Sequence, residues 1–125
     1  MKKILVKFWG FVNDSQKFEL LAKAHVLVNP SVHEGWGLVN IEANSVGIPV
    51  VAYNSAGLID SVKDGYSGII LKKNTSEELS YVVQNLLNDK YRYEKMQKNA
   101  ILWSNNFSWQ KSRELSLDLI ISISL

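Results

Sequence analysis

The chain has 125 residues, 46% of them hydrophobic and 21% charged, with two prolines and a net charge of +2. That is the size of one domain able to bury a core, and neither the small charge nor any dense Lys/Arg block with interleaved aromatics supports a nucleic-acid surface. Cysteine is absent, which removes disulfides, thiolate chemistry and Cys-type zinc sites and agrees with a reducing compartment, hence a cytoplasmic location.

The opening MKKILVKFWGFV has the basic pair and apolar run of a secretion signal, but Lys7 interrupts the run and no small-residue cleavage site follows. Ile4 to Trp9 is therefore expected as a strand, rich in β-branched and aromatic residues and ending at Gly10. Gln16 to Ala24 sets Phe18, Leu21 and Ala22 on one helical face, with Asp14 or Ser15 as the expected N-cap. His25 to Asn29 reads as a short buried strand that stops at Pro30. Leu38 to Val46 reads as a helix ending at Gly47, and Ile48 to Tyr53 as another strand.

Gly57 to Val62 has the length of a short helix, Asp64-Gly65 marks a turn, and Gly68 to Leu71 is the fourth strand candidate. Ser76 to Leu87, with Thr75 or Ser76 as its cap, and Lys90 to Trp103 are helical in pattern, and Phe107-Ser108-Trp109 leads into a last helix. The final stretch, residues 115 to 125, is apolar but contains Asp118, and it is shorter than the ~20 residues a membrane span requires. No transmembrane segment is expected. Apolar strands separated by helices predict an α/β fold: a parallel Rossmann-like sheet of about four strands, flanked by helices on both faces.

In such a sheet ligands bind beyond the carboxyl ends of the strands, near helix N-termini. The stretch HEGWGLVNIE, residues 33 to 42, lies at that level between Pro30-Ser31 and the helix beginning at Leu38. Gly35 and Gly37 remove side chains where backbone would approach a ligand, and free amides at the helix start favour an anion such as phosphate. Glu42, about one turn into the helix, is placed to accept from vicinal hydroxyls such as those of a ribose, and Glu34 from further hydroxyls. The plain structural alternative is two solvated carboxylates and a tight glycine turn.

Residues 10 to 52, GFVNDSQKFELLAKAHVLVNPSVHEGWGLVNIEANSVGIPVVA, resemble the helix, strand, E-x7-E and Pro-Val-Val-Ala run of retaining nucleotide-sugar glycosyltransferases of the GT-B fold. AGLIDSVKDGYSGIIL is similar to the Gly-Gly-x-x-Glu and Asp-Gly-x-x-Gly segment of that group, and FSW to the opening of its C-terminal helix. The resemblance runs from about Val6 to Trp109 and concerns the C-terminal, donor-binding half, so residues 1–125 form one partial domain of that kind. It implies that Glu34 contacts the donor sugar as the catalytic-site acid. Backbone groups of Gly35, Trp36, Gly37 and Leu38 would line sugar and phosphates, and Glu42 would hold the ribose.

The resemblance further implies a nucleotide-diphosphate sugar as partner, with neither metal nor cofactor, because protein groups stabilise the departing diphosphate. Ala56 stands in place of the family's first glycine and Asp60 in place of its glutamate, which weakens any ligand role for that loop. The acceptor-binding N-terminal domain, two upstream strands and a basic pair gripping the diphosphate are not found in these residues, so the isolated chain is expected to be inactive. The edge of the His25 to Asn29 strand would then be open, to be filled by Ile4 to Trp9 or by a second chain, with homo-oligomerisation as the consequence. The alternatives are a non-catalytic nucleotide or nucleotide-sugar binding module and a fragment acting only through oligomerisation.

Other constellations read as structural. His25 and His33 flank a strand and do not form a metal pair; Ser31, His33 and Asp60 lack a nucleophile turn. Trp103, Phe107 and Trp109 read as core rather than as stacking platforms, and Lys72-Lys73 and residues 90–98 as a solvated face, with peripheral contact to the inner face of an anionic membrane as the alternative.

Overall fold

The computed structural model describes residues 6–32 and 37–107. Its elements in chain order are α1 (Asp14–Lys23), β1 (Leu27–Asn29), α2 (Leu38–Ser45), β2 (Val50–Ala52), α3 (Leu58–Ser61), β3 (Gly68–Ile70), α4 (Ser76–Asn88) and α5 (Lys90–Ser104). The three strands form one parallel sheet in the order β1-β2-β3, with Leu27 beside Val50 and Val50 beside Gly68. Each strand-to-strand connection carries a helix, as a parallel crossover requires.

Side chains alternate across the strands, and the central strand is fully buried at Val50, Val51 and Ala52. Val50 and Ala52 join Leu21, Ala43, Ile48, Leu58 and Val62 in one core. Val51 faces the other way and joins Leu71, Leu86 and Met96. The sheet is thus sealed on one side by α1, α2 and α3 and on the other by α4 and the first half of α5. The later part of α5 crosses to the first layer, where the Trp103 indole donates to the Ser61 carbonyl at 2.9 Å and the ring meets Phe107 edge-on. Trp103 is therefore a packing residue. At the start of β1, the Tyr93 hydroxyl donates to the His25 carbonyl at 2.6 Å and pins α5 to the sheet.

Helix boundaries follow their caps. Asn13, one residue before the expected Asp14, opens α1: its Oδ1 accepts from the Gln16 amide at 2.8 Å while Gln16 Oε1 accepts from the Asn13 amide at 3.1 Å. This reciprocal box satisfies two orphan amides at once, and an Asp14 cap could not have closed it with Gln16. Thr75 caps α4 as expected. Asp64 holds the turn before β3 by accepting from the Ile70 amide at 2.8 Å.

One expectation needs correction. Residues 6–9 lie outside the sheet, so the expected strand at Ile4 to Trp9 is not formed in its described part, and three strands stand among the described residues. Its physical reason is visible in exposure: Phe8 is 92% and Phe11 99% exposed. β-rich composition does not create a strand without a pairing edge and a buried face. No described strand lies along the free side of β1, so Ile4 to Trp9 does not fill that place through its described residues. The helix expected after residues 107 to 109 lies outside the described residues.

Candidate functional site

Beyond the carboxyl end of β1, where ligands bind in sheets of this kind, the floor is built from polar side chains that the fold buries. Asn29, the last residue of β1, donates from Nδ2 to Asn40 Oδ1 at 3.1 Å. Asn40 Nδ2 donates to Ser61 Oγ at 2.9 Å, and Ser61 Oγ in turn donates to the Leu58 carbonyl at 3.2 Å. Asn40 and Ser61 are fully buried. Because each member is satisfied, the chain rigidly couples the end of β1 to α2 and α3 without leaving a costly orphan. Above it, Ser55 Oγ donates to the Ser31 carbonyl at 3.0 Å and ties the loops following β1 and β2.

Gly37 sits on this floor as the N-cap of α2, in the left-handed region at φ 74° and ψ 51°, with no side chain capping the helix. Glycine is required twice over: positive φ penalises any Cβ, and a Cβ here would lie 2.8 Å from Asn40 Nδ2 and from Ser61 Oγ. The Asn40 amide closes back on the Gly37 carbonyl at 2.9 Å, and among the described residues no side chain caps the amides at the start of α2 at the carboxyl end of the sheet. Leu38 is 43% exposed beside Gly37. Glu34, Gly35 and Trp36, the other members of the sequence motif, lie outside the described residues, as does His33.

Glu42 lies one turn into α2 and is only 6% exposed. Its Oε2 is 2.6 Å from Nζ of Lys17 on α1 and accepts no other hydrogen bond. The same ammonium lies 3.4 Å from the exposed Asp14. Sequence reading identified Glu42 but not Lys17, Asn29, Asn40 or Ser61; these residues are distant in the chain, and only the topology unites them. Asp60 is exposed on α3, and among the described residues no group of three or more His, Asp or Glu side chains gathers to hold a metal.

The hydrogen bond to Glu42 holds the Lys17 ammonium above its ordinary value of 10.5 against the opposing effect of burial, and burial raises the Tyr93 phenol above 10.0. Both groups bind their proton more tightly folded than unfolded. The stability they contribute is complete below about pH 10 and is lost as pH rises through the folded values. Melting temperatures measured from about pH 9 to about pH 11 should fall along the alkaline limb, and Lys17→Met and Tyr93→Phe should each make that limb shallower.

The family model for glycosyl transferases group 1 matches residues 2–103. The chain belongs to this family. Among curated relatives of this group 1 domain, D-inositol 3-phosphate glycosyltransferase of Paenarthrobacter aurescens (strain TC1) is 34% identical over 95 residues, 76% of this chain and 23% of that protein. The domain thus spans about a quarter of the length of the curated relatives it matches. Among solved structures, Anabaena HepE in complex with UDP and glucose aligns with a TM-score of 0.81 at 26% identity, over 93% of this chain and 32% of that one. Sucrose-phosphate synthase of Thermosynechococcus elongatus aligns with a TM-score of 0.80 at 26% identity, over 93% and 30%. These neighbours are GT-B glycosyltransferases, and the parallel sheet with helices on both faces is shared with them. Among the described residues of this group 1 domain, no helix is long and apolar enough to cross a membrane.

Proposed function

We propose that this group 1 domain is the donor-binding part of a retaining glycosyltransferase, taking a nucleotide-diphosphate sugar in the crevice above Asn29 and Gly37. The observation that carries the reading is the start of α2: a left-handed glycine, no side-chain cap, and a buried carboxylate one turn further on. Helix N-terminal amides suit phosphate, and a carboxylate beside them suits the ribose hydroxyls. The structural neighbour solved with UDP and glucose supports the same ligand class.

In this reading the backbone of Gly35, Trp36, Gly37 and Leu38 lines sugar and phosphates, Glu34 holds the sugar hydroxyls, and Glu42 holds the ribose. Catalysis then rests on stabilising charge that accumulates on the leaving diphosphate, together with positioning. Turnover also needs an acceptor-binding domain and a basic pair at the diphosphate, supplied by further chain or by a partner, and the free edge of β1 is where added strands would pair. The absence of cysteine and the ligand class favour a cytoplasmic location.

The test is a titration with UDP, GDP and ADP while thermal stability is followed. At a concentration about a hundredfold above the dissociation constant, a ligand confined to the native state adds about 2.7 kcal/mol, a rise of several degrees. One of the three should produce it, and no change with any of them would remove the donor site. Sugar transfer by these 125 residues alone would overturn the claim that the acceptor part is needed.

A further inference from the structure

Packing alone does not call for an acid at position 42. Its neighbours Ile41, Ala43 and Asn44 are all buried, and when apolar side chains of similar volume replace both members of a buried ion pair, stability is often retained. The two oxygens of this carboxylate also differ. Oε2 is held by Lys17 Nζ at 2.6 Å, whereas Oε1 accepts no hydrogen bond among the described residues. Lys17 itself is fixed from below. It stands in the first half of α1, behind the Asn13–Gln16 capping box, and Leu21 one turn on is anchored in the core shared with Ala43 of α2.

We propose that Lys17 is the positioning residue of the nucleoside subsite: it holds Oε2 so that Glu42 stays turned to offer Oε1 to a pair of vicinal hydroxyls. This deepens the donor-site reading and rests on it. A carboxylate that is 6% exposed and lacks a partner would rotate toward water. That movement takes the acceptor away from the diol. Lys17 supplies a compact charge on a short path from the neighbouring helix, so ribose recognition is shared between α1 and α2 while the phosphates are left to the amides.

The experiment compares the tightest of UDP, GDP and ADP with its 2′,3′-dideoxy counterpart on the full chain and its variants. Wild type should prefer the ribonucleotide by about tenfold to a hundredfold, the range for a hydrogen bond to a charged group. Glu42→Ala should abolish that preference. Lys17→Met should reduce it to within a few-fold of Glu42→Ala while dideoxynucleotide affinity changes little, and Lys17→Arg should restore most of it. If Lys17→Met does not fold, Lys17→Gln carries the same comparison.

A purely structural lysine, or one that contacts phosphate directly, would weaken both nucleotides alike and leave the ratio intact. That result overturns the proposal while the donor site stands. Wild type binding nucleotide with no ribose preference overturns both the proposal and the assignment of Glu42. No nucleotide binding at all removes the donor site itself.

Discussion

Gly68→Ala is expected to be the most damaging single-methyl change in the described structure. A Cβ on Gly68 would lie 2.1 Å from the Val50 carbonyl oxygen, 3.0 Å from its carbon and 3.1 Å from the Val50 nitrogen. No rotamer can relieve this, because the methyl has none and the obstacle is backbone. Gly68 does not have positive φ, so the cost is steric rather than conformational. Val50 is fully buried in the central strand and paired on both sides, which prevents it from retreating. β3 must therefore separate from β2 where their pairing starts. Overpacking a core usually costs 1–3 kcal/mol; loss of about 3 kcal/mol or more is expected here, lowering the melting temperature by about 10 °C. Gly65→Ala is the control, since nothing lies within 4 Å of its Cβ, and should cost only its positive-φ penalty. Equal melting temperatures for the two variants would mean that β3 does not pair with β2 in this register.

The contrast between Gly68 and its neighbours shows what sequence could tell. The stretches HVLVN, IPVVAY and GIIL were legible as buried strands because they are apolar on both faces, as a sheet covered on two sides demands. All three are found, shortened at their ends. Ile4 to Trp9 has the same composition yet is not a strand in its described part. Composition reports the ability to pair, whereas formation depends on an available edge. The capping shift from Asp14 to Asn13 has a similar origin: several residues in a row can cap, and the reciprocal bond with Gln16 decides among them.

The candidate site divides along the same line. Gly37 was singled out in the sequence for close approach of backbone to a ligand, with a tight glycine turn as the alternative; its φ of 74° and the side chains packed around it give a structural need for glycine there. Glu42 was legible as an acid in the first turns of a helix. Its ion pair with Lys17 was not, because nothing in the local pattern of α1 distinguishes Lys17 from Lys23. Asn29, Asn40 and Ser61 were equally silent. Each is an ordinary polar residue in its own segment, and they become one buried chain only when α2 and α3 are laid beside the end of β1.

Gly37→Val should combine a stability loss with loss of nucleotide binding. The left-handed conformation costs a branched residue about 1–2 kcal/mol, and a Cβ at Gly37 would also stand 2.8 Å from Asn40 Nδ2, 2.8 Å from Ser61 Oγ and 2.9 Å from Leu58 Cδ2. All three neighbours are fully buried and hydrogen-bonded or packed in the core, so none is a free side-chain end that could swing aside. Adding a core strain of about 1–3 kcal/mol gives about 2–5 kcal/mol in total. Gly10→Ala separates the two contributions, because its φ is +63° with nothing within 4 Å of the added methyl. The functional consequence is distinct from the stability loss. Relieving the clash requires the chain to leave φ 74° at the N-cap, which turns the first amides of α2 away from the crevice. Nucleoside diphosphate affinity should then fall by about tenfold or more even at temperatures where Gly37→Val is fully folded, about what losing one hydrogen bond to a charged group would cost. Calorimetric titration well below the melting temperature measures this directly. An affinity equal to wild type in the folded variant would show that the α2 amides do not hold the phosphates.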